Sequence, residues 1–234
     1  MIDALKRIVP SGVKAELKRR LFAVNDMTAR LRNLRRAGFI CSGAIDAGAF
    51  DGEWSCAFWK TFSDVPVCMI EPLPAKAAPL ADLARNHRAY FVAAALGNRR
   101  GTAHFRIAET NSQIVEDSEK GSIVVEVTTI DDVLAKMPSF RPNLLKLDLQ
   151  GYELQALEGC SHLELFEVIV LEVSILRIGD VPIFSEVDAF LNDRTFRLYD
   201  VIPQYYRPLD GALWQCDAFY VRNDSKLIAS RAWI

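Results

Sequence analysis

Ala44-Ile45-Asp46-Ala47-Gly48-Ala49-Phe50-Asp51-Gly52-Glu53-Trp54-Ser55 is the stretch whose reading decides the fold. Apolar residues run into an acid, a small-residue turn with two glycines follows, and a polar-aromatic segment opens a helix. That is a strand, a tight loop and a helix N-terminus, the place where open α/β sheets bind nucleotides. The glycines permit φ > 0 and let backbone approach a ligand. A dinucleotide fingerprint needs G-x-G-x-x-G, with a middle glycine that admits a pyrophosphate. Here Phe50 holds that position and would crowd it. Asp46 stands two residues before Gly48, where it would repel a phosphate and tolerate a cation. S-adenosylmethionine has a sulfonium, an amino group and no phosphate, so it fits this turn better than NAD does. An ordinary βα turn is the plain alternative.

Outward from the turn, the apolar runs predict core strands at 40–46, 66–71, 90–96, 143–149 and 168–173, with helices at 54–62, 74–88, 152–158 and 184–191. Further strands are expected at 101–107 and 123–127, a helix from 129 with Thr or Asp as cap, and a polar loop over 110–121. Two last strands, 196–201 and 216–221, have no helix between them and read as antiparallel neighbours. Tyr205, Tyr206 and Trp214 fall in the loop joining them, where they would stack on a sugar or fill the junction. Five βα units followed by an antiparallel pair define an α/β, Rossmann-like domain with a mostly parallel seven-stranded sheet and one antiparallel strand inserted.

Residues 1–39 read as a basic helical extension and 40–234 as the main domain. Residues 1–40 hold ten Lys or Arg against three acids, a charge of +7 in a chain whose net charge is −2. Leu17, Leu21, Val24, Thr28 and Leu31 recur at helical spacing after the break at Pro10-Ser11-Gly12, predicting a short helix, a turn and a longer amphipathic helix to about Arg36, ended by Gly38. A helix packed on the sheet edge with a solvated basic face explains this; contact with anionic lipid headgroups or an acidic saccharide is the sharper reading. The balance elsewhere calls for no nucleic acid. The five cysteines are scattered with no C-x-x-C spacing, so reduced thiols in a cytoplasmic protein are expected. No apolar run approaches the ~20 residues of a membrane helix, and no secretion signal opens the chain.

Two further places concentrate charge where ligands bind such sheets. Glu71 ends the second strand about twenty residues after Gly52, where a nucleoside-binding fold uses an acid on the ribose hydroxyls. In Leu145-Lys146-Leu147-Asp148-Leu149-Gln150-Gly151-Tyr152-Glu153, alternation puts Lys146 and Asp148 on one face, and Glu153 enters the first helical turn. A structural ion pair is the alternative, since burying such groups unpaired is costly. Ala95 and Leu96 would lie near an adenine. His87, His104 and His162 are isolated, and only His104 lies near the expected cleft rim.

The ordered set Ile45-Asp46-Ala47-Gly48-Ala49 with Gly52, Glu71-Pro72, Ala95-Leu96-Gly97, Thr129-Ile130-Asp131-Asp132 and Leu145–Glu153 resembles the FkbM family of S-adenosylmethionine-dependent methyltransferases. Glu172 and the strand at 217–221 continue the likeness, which covers roughly 40–222 and leaves the basic arm outside. Phe50-Asp51 departs from it, the family often having a polar and then an apolar residue there. The resemblance implies a class I methyltransferase fold and O-methylation, often of sugar hydroxyls in natural products, glycolipids or polysaccharides. Taken with the residues above, it makes Asp46, Gly48, Ala49, Phe50, Asp51, Gly52, Ser55, Glu71, Pro72, Ala95 and Leu96 the expected donor site. Asp148 is the first candidate base, with Lys146 and Glu153 orienting it or the acceptor, and Glu172 a weaker candidate. A divalent metal on Asp148 and a second carboxylate is compatible with hard-cation chemistry, but no spacing demands one and none is assigned. A non-catalytic binding or scaffold protein, or an NAD-dependent oxidoreductase, would share the fold.

Overall fold

The computed structural model describes residues 26–106, 113–115, 122–179, 181–230 and 232. Its first element is helix α1 (Met27–Arg36). Asp26 caps it from extended backbone, its Oδ1 accepting from Thr28 N at 2.9 Å. The expected amphipathic helix is therefore not continuous through position 26. The cap interrupts it, and the expected helical segments before Asp26 lie outside the described residues. At the other end Gly38 turns left-handed (φ +102°), Gly38 N donates to Arg35 O and Phe39 N to Leu34 O, which satisfies the last carbonyls. Leu31, Leu34 and Phe39 are buried in the same core cluster as Phe58 and Phe62. Arg30 reaches Asp200 at 3.1 Å. Helix α1 is thus packed on the domain, and part of its basic face is paired rather than solvated.

In chain order α1 is followed by β1 (Ala44–Ala47), α2 (Glu53–Trp59), β2 (Val67–Ile70), α3 (Pro74–Asn86), β3 (Ala89–Val92), β4 (Ala95–Leu96), β5 (Gly101–Arg106), β6 (Gln113–Val115) and β7 (Ile123–Thr128). Then come α4 (Ile130–Ala135), β8 (Leu144–Leu147), α5 (Glu153–Glu158), β9 (Val168–Ser174), α6 (Phe184–Asn192), β10 (Phe196–Tyr206) and β11 (Leu213–Arg222). Seven strands form the main sheet in the order β10-β11-β9-β8-β1-β2-β3. The run β9-β8-β1-β2-β3 is parallel, and β11 is antiparallel to both of its neighbours. Every residue of β1, β2 and β8 is buried, as a sheet covered on both faces demands. Alternation sends Ile45, Leu145 and Ile169 into one core with Val133, Leu157 and Leu191. It sends Ala44, Leu144 and Val168 into the other, with Phe58, Trp59 and Leu80. Strand order reverses beside β1, which opens a crevice at the C-terminal ends of β1 and β8.

Three expectations change. The strand expected at 90–96 is two: β3 ends at Val92, the chain bends so that Ala94 N bonds Val92 O, and β4 joins a second sheet of order β4-β7-β5-β6. The polar loop at 110–121 contains β6, paired to β5; its remaining residues lie outside the described ones. The last two strands run past 201 and start before 216, so Tyr205, Tyr206 and Trp214 belong to a long ribbon rather than a loop. Register shifts at Leu198/Asp200 and Pro203/Tyr205 break the period-two pattern that would have revealed this.

Phe58 is fully buried, with ring centroids 5.2 Å from Trp54 and 5.0 Å from Phe62. Phe58→Ala is expected to cost about 3–5 kcal/mol in urea unfolding; a loss under ~1 kcal/mol would show that α2 is not anchored through this stack.

Candidate functional site

The loop after β1 turns at two left-handed glycines, and at the first a backbone contact admits no side chain. Gly48 has φ +72°, and a Cβ there would stand 1.8 Å from the Asp148 carbonyl oxygen, so the ends of β1 and β8 touch at this point. Gly52 has φ +75°, and a Cβ would meet Leu83 Cδ2 at 2.5 Å. Phe50 is left-handed without being glycine (φ 47°), a conformation that costs about 1–2 kcal/mol. Its N–H donates to Glu71 Oε2 at 2.9 Å, and Lys76 Nζ sits 3.6 Å from its ring centroid while pairing with Asp51 at 2.7 Å. Gly48 N and Ala49 N both donate to Ile70 O, and Gly52 N to Ala49 O. Four of the loop's N–H groups are thereby spent inside the protein. A pyrophosphate would need them free.

Asp46 and Ser55 lie beneath the cleft, not on its wall. Asp46 is fully buried, pairs in register with Lys146, and accepts from Ser55 Oγ at 2.7 Å through Oδ2. Lys146 Nζ stands 3.1 Å from Asp46 Oδ1, a buried ion pair. It donates to Gly48 O at 3.0 Å and Ala47 O at 3.3 Å, and lies 3.6 Å from Asp148 Oδ2. Burial alone would lower the lysine's pKa. Asp46, Asp148 and Asp217 outweigh it and hold the pKa raised, so Lys146 is a cation. The acid expected to meet a cationic ligand is therefore already occupied by a cation of the chain itself.

Above this pair a cleft of about 290 Å³ opens. Gly48, Ala49, Phe50 and Asp51 form one side, Glu71 and Pro72 a second, and Ala95 and Leu96 a third; Gly52 is not on its wall. Lys146 and Asp148 line the floor beside Gln150 and Asp217. Glu71 is 4% exposed, and each carboxylate oxygen accepts one backbone N–H, Oε2 from Phe50 and Oε1 from Leu73 at 3.0 Å. Burial pushes its pKa up and these amides pull against it. Each oxygen keeps a further lone pair. Trp54, which the sequence reading used only to start a helix, also lines the cleft, and its indole Nε1 is buried with no partner among the described residues.

The carboxyl groups form a chain linked by amides. Gln150 Nε2 donates to Asp148 Oδ1 at 3.0 Å and to Glu172 Oε2 at 3.1 Å. Gln215 Nε2 also donates to Glu172 Oε2, at 3.2 Å, and Gln204 Nε2 to Asp217 Oδ2 at 2.6 Å. Asp217 lies directly opposite Glu172 across the β9/β11 ladder. Glu153 points into its own loop, accepting from Leu149 N at 2.7 Å and Gly151 N at 3.1 Å, so it shapes the turn that carries Asp148 and Gln150. That turn is tight, with Gln150 (φ 54°) and Gly151 (φ 102°) both left-handed. Burial, with repulsion from neighbouring acids, pushes Glu172 to about 8, Glu153 to about 7 and Asp217 to about 6. Asp148, with a side chain 40% exposed, is the most open of the four. Gln150 and Asp217 stood in the motifs quoted above without a role, and Gln204 and Gln215 were not singled out. The one signal for Asp217 was an acid inside an apolar strand, the same signal that singled out Glu172.

The histidines stand apart from these groups: His87 stacks on Trp59 at 4.1 Å, His104 pairs with Val115 across β5/β6, and His162 bonds Glu164. Among the described residues no group of three or more His, Cys, Asp or Glu is placed to hold a metal. None of the described helices is long and apolar enough to cross a membrane.

A doubly wound sheet of this order, with its cleft at the switch point beside β1 and its last strand inserted antiparallel, is the class I Rossmann-like methyltransferase fold. The methyltransferase FkbM domain matches residues 46–198, more than half of the chain, and the chain belongs to that family. It resembles the structure of methyltransferase FkbM from Methylobacillus flagellatus KT at 16% identity and a TM-score of 0.50, covering 76% of this chain and 43% of that one. This chain thus spans less than half the length of that structure. Precorrin-6y C5,15-methyltransferase from Geobacter metallireducens GS-15 aligns at 11% identity and TM-score 0.48, covering 83% of this chain and 87% of that one. Magnesium protoporphyrin IX methyltransferase from Synechocystis PCC 6803, solved with bound SAH, aligns at 11% and 0.48, covering 83% and 79%. No curated protein matches.

The raised carboxyls set a pH test. A carboxyl whose folded pKa exceeds its unfolded value contributes stability below the unfolded pKa and loses it as pH rises through the folded one. Glu153, Glu172 and Asp217 place that loss between about pH 4.5 and 8. The thermal midpoint should therefore fall from about pH 5 to about pH 8.5. Glu172→Gln should flatten the fall, raising the high-pH midpoint by about 2–4 °C per kcal/mol relieved. A variant that tracks the wild type at every pH would contradict the assignment.

Proposed function

We propose that this chain transfers a methyl group from S-adenosylmethionine to a hydroxyl, of a sugar or a small hydroxylated molecule, in the cleft above Lys146. The observation that carries this is the combination of spent amides and acidic walls. The N–H groups of Gly48, Ala49, Phe50 and Gly52 have internal partners, and the cleft is lined by Asp51, Glu53, Glu71, Asp148 and Asp217 against Lys146. Such a site rejects a pyrophosphate and accepts a cation.

The residues present fit the donor. Glu71 has lone pairs left for two ribose hydroxyls, Ala95 and Leu96 offer apolar surface to an adenine, and the orphan Trp54 N–H suits a carboxylate. When bound, S-adenosylmethionine supplies a methyl group on a sulfonium whose charge vanishes as the methyl leaves. The protein's part is to hold acceptor and donor in line and to exclude water. Asp148 would take the proton of the acceptor hydroxyl as its oxygen receives the methyl group, the electrons of the broken S–CH₃ bond remaining on the donor's sulfur. Lys146 stands 3.6 Å from Asp148 Oδ2, and Gln150 donates to its Oδ1, so both orient the carboxylate for that role.

Calorimetry with S-adenosylmethionine and S-adenosylhomocysteine, with NAD as control, tests the donor; binding of NAD alone would overturn the proposal. Glu71→Ala should weaken donor binding at least about tenfold, the loss of ~1.4 kcal/mol or more. Asp148→Asn should lower turnover of labelled methyl groups by about 10²–10⁴-fold while donor affinity stays within a few-fold. Retained turnover would remove Asp148 as the base.

A further inference from the structure

A second cavity, of about 160 Å³, lies behind Gln150. We infer that it is the acceptor subsite, and that it takes an uncharged polyhydroxylated ring and turns away an anionic one. The inference rests on the methyl-transfer reading for the word acceptor, but its chemistry stands on this cavity's own residues.

Continuity comes first. Gln150 lines both the main cleft and this cavity, and its amide donates to Asp148 in the first and Glu172 in the second. A group seated behind Gln150 is one side chain from the carboxylate that receives the proton.

The lining is amphipathic in the way a sugar is. Ile178, Val181 and Pro182 give it an apolar wall. Glu172, Gln215 and Ser174 give it acceptors and donors. Trp214 supplies an aromatic face, held by Tyr205 at 6.3 Å between ring centroids. The Trp214 indole Nε1 is buried and has no partner among the described residues. A buried donor left so costs about 1–3 kcal/mol, which a hydroxyl or ring oxygen would recover. Carboxyls and amides bind hydroxyls in pairs, while an indole packs on a C–H face.

Charge decides which ring. Glu172 is already burdened by burial and by Asp148, Glu153 and Asp217. Once Glu172 is ionised, above about pH 8, a bound anion would add to that repulsion, and the discrimination is expected there. Arg106 also lines the cavity, but it is an exposed rim residue whose charge solvent screens.

The test reads the indole N–H signal of Trp214 by NMR in the full chain with ¹⁵N-labelled tryptophan, assigned with Trp214→Phe. The probes are the methyl α-glycosides of glucose, galactose and mannose, and the uronic acid counterpart of the glucoside, at about pH 9 where Glu172 is ionised. At least one neutral glycoside should move the signal, and the uronide should bind about tenfold more weakly or worse. In Glu172→Gln that gap should shrink to about threefold or less. No response to any neutral glycoside, or a uronide that matches the glucoside in the wild type, would overturn the inference. Calorimetry with S-adenosylhomocysteine separates the two readings. Heat with no sugar response removes the subsite alone, whereas a sugar response with no heat removes the transfer reading and leaves a sugar site.

Discussion

One buried ammonium holds the two halves of the site together. Lys146 sits in β8 with its Nζ beside Asp46 of the neighbouring strand, under two carbonyls of the glycine loop, and within reach of Asp148 on its own strand's extension. Unpaired, a cation there would cost several kcal/mol; removing one partner of such a pair typically costs about 3–5 kcal/mol. The register that sets Asp46 opposite Lys146 is therefore as much a requirement as the apolar packing around it. The same contact explains why Asp46 is not on the cleft wall. Its charge is spent in neutralising the lysine, which leaves Asp148 as the exposed carboxylate of the group.

The ends of β1 and β8 are pressed together by the contact between Gly48 and the Asp148 carbonyl. The loop's amides find partners in Ile70 of β2, in Glu71 and in the loop's own Ala49 carbonyl. Hydrogen-bond accounting bears on ligand choice: a loop with four of its donors consumed, beside acidic walls, is a poor phosphate site, which supports the proposal of a cationic donor. Glu71 serves both sides of this arrangement. It holds Phe50 in a strained conformation and lines the cleft.

Parallel strands buried on both faces read as unbroken apolar runs, so β1, β2, β8 and β9 were legible to within a few residues, as were α5 and α6. The antiparallel pairing of β10 and β11 followed from the missing helix between them. Where the pattern failed, a local irregularity was responsible: the bend at Ala93-Ala94, the bulges in β10, and the cap at Asp26. Within the site, residues next to glycines or at strand ends were found because charge in an apolar run is conspicuous. Gln204 and Gln215 were not, and Gln150 stood in a quoted motif without a role, because an uncharged amide gives no such signal. Trp54 was not assigned, and Trp214 was read only as a residue that stacks on a sugar or fills the strand junction, because an orphan N–H is a property of surroundings.

The order of apolar runs, glycines and strand-end acids by itself determined the α/β architecture, the position of the cleft and the family, since each depends on local pattern and chain order. Only the tertiary structure decided which groups meet. It placed Asp46 and Ser55 below the cleft, turned Glu153 into its own loop, and joined Asp148, just past β8, with Glu172 of β9 and Asp217 of β11. The reason is that pairing register and burial set which charges lie within a few ångströms of each other, and neither is written in any one segment of the chain.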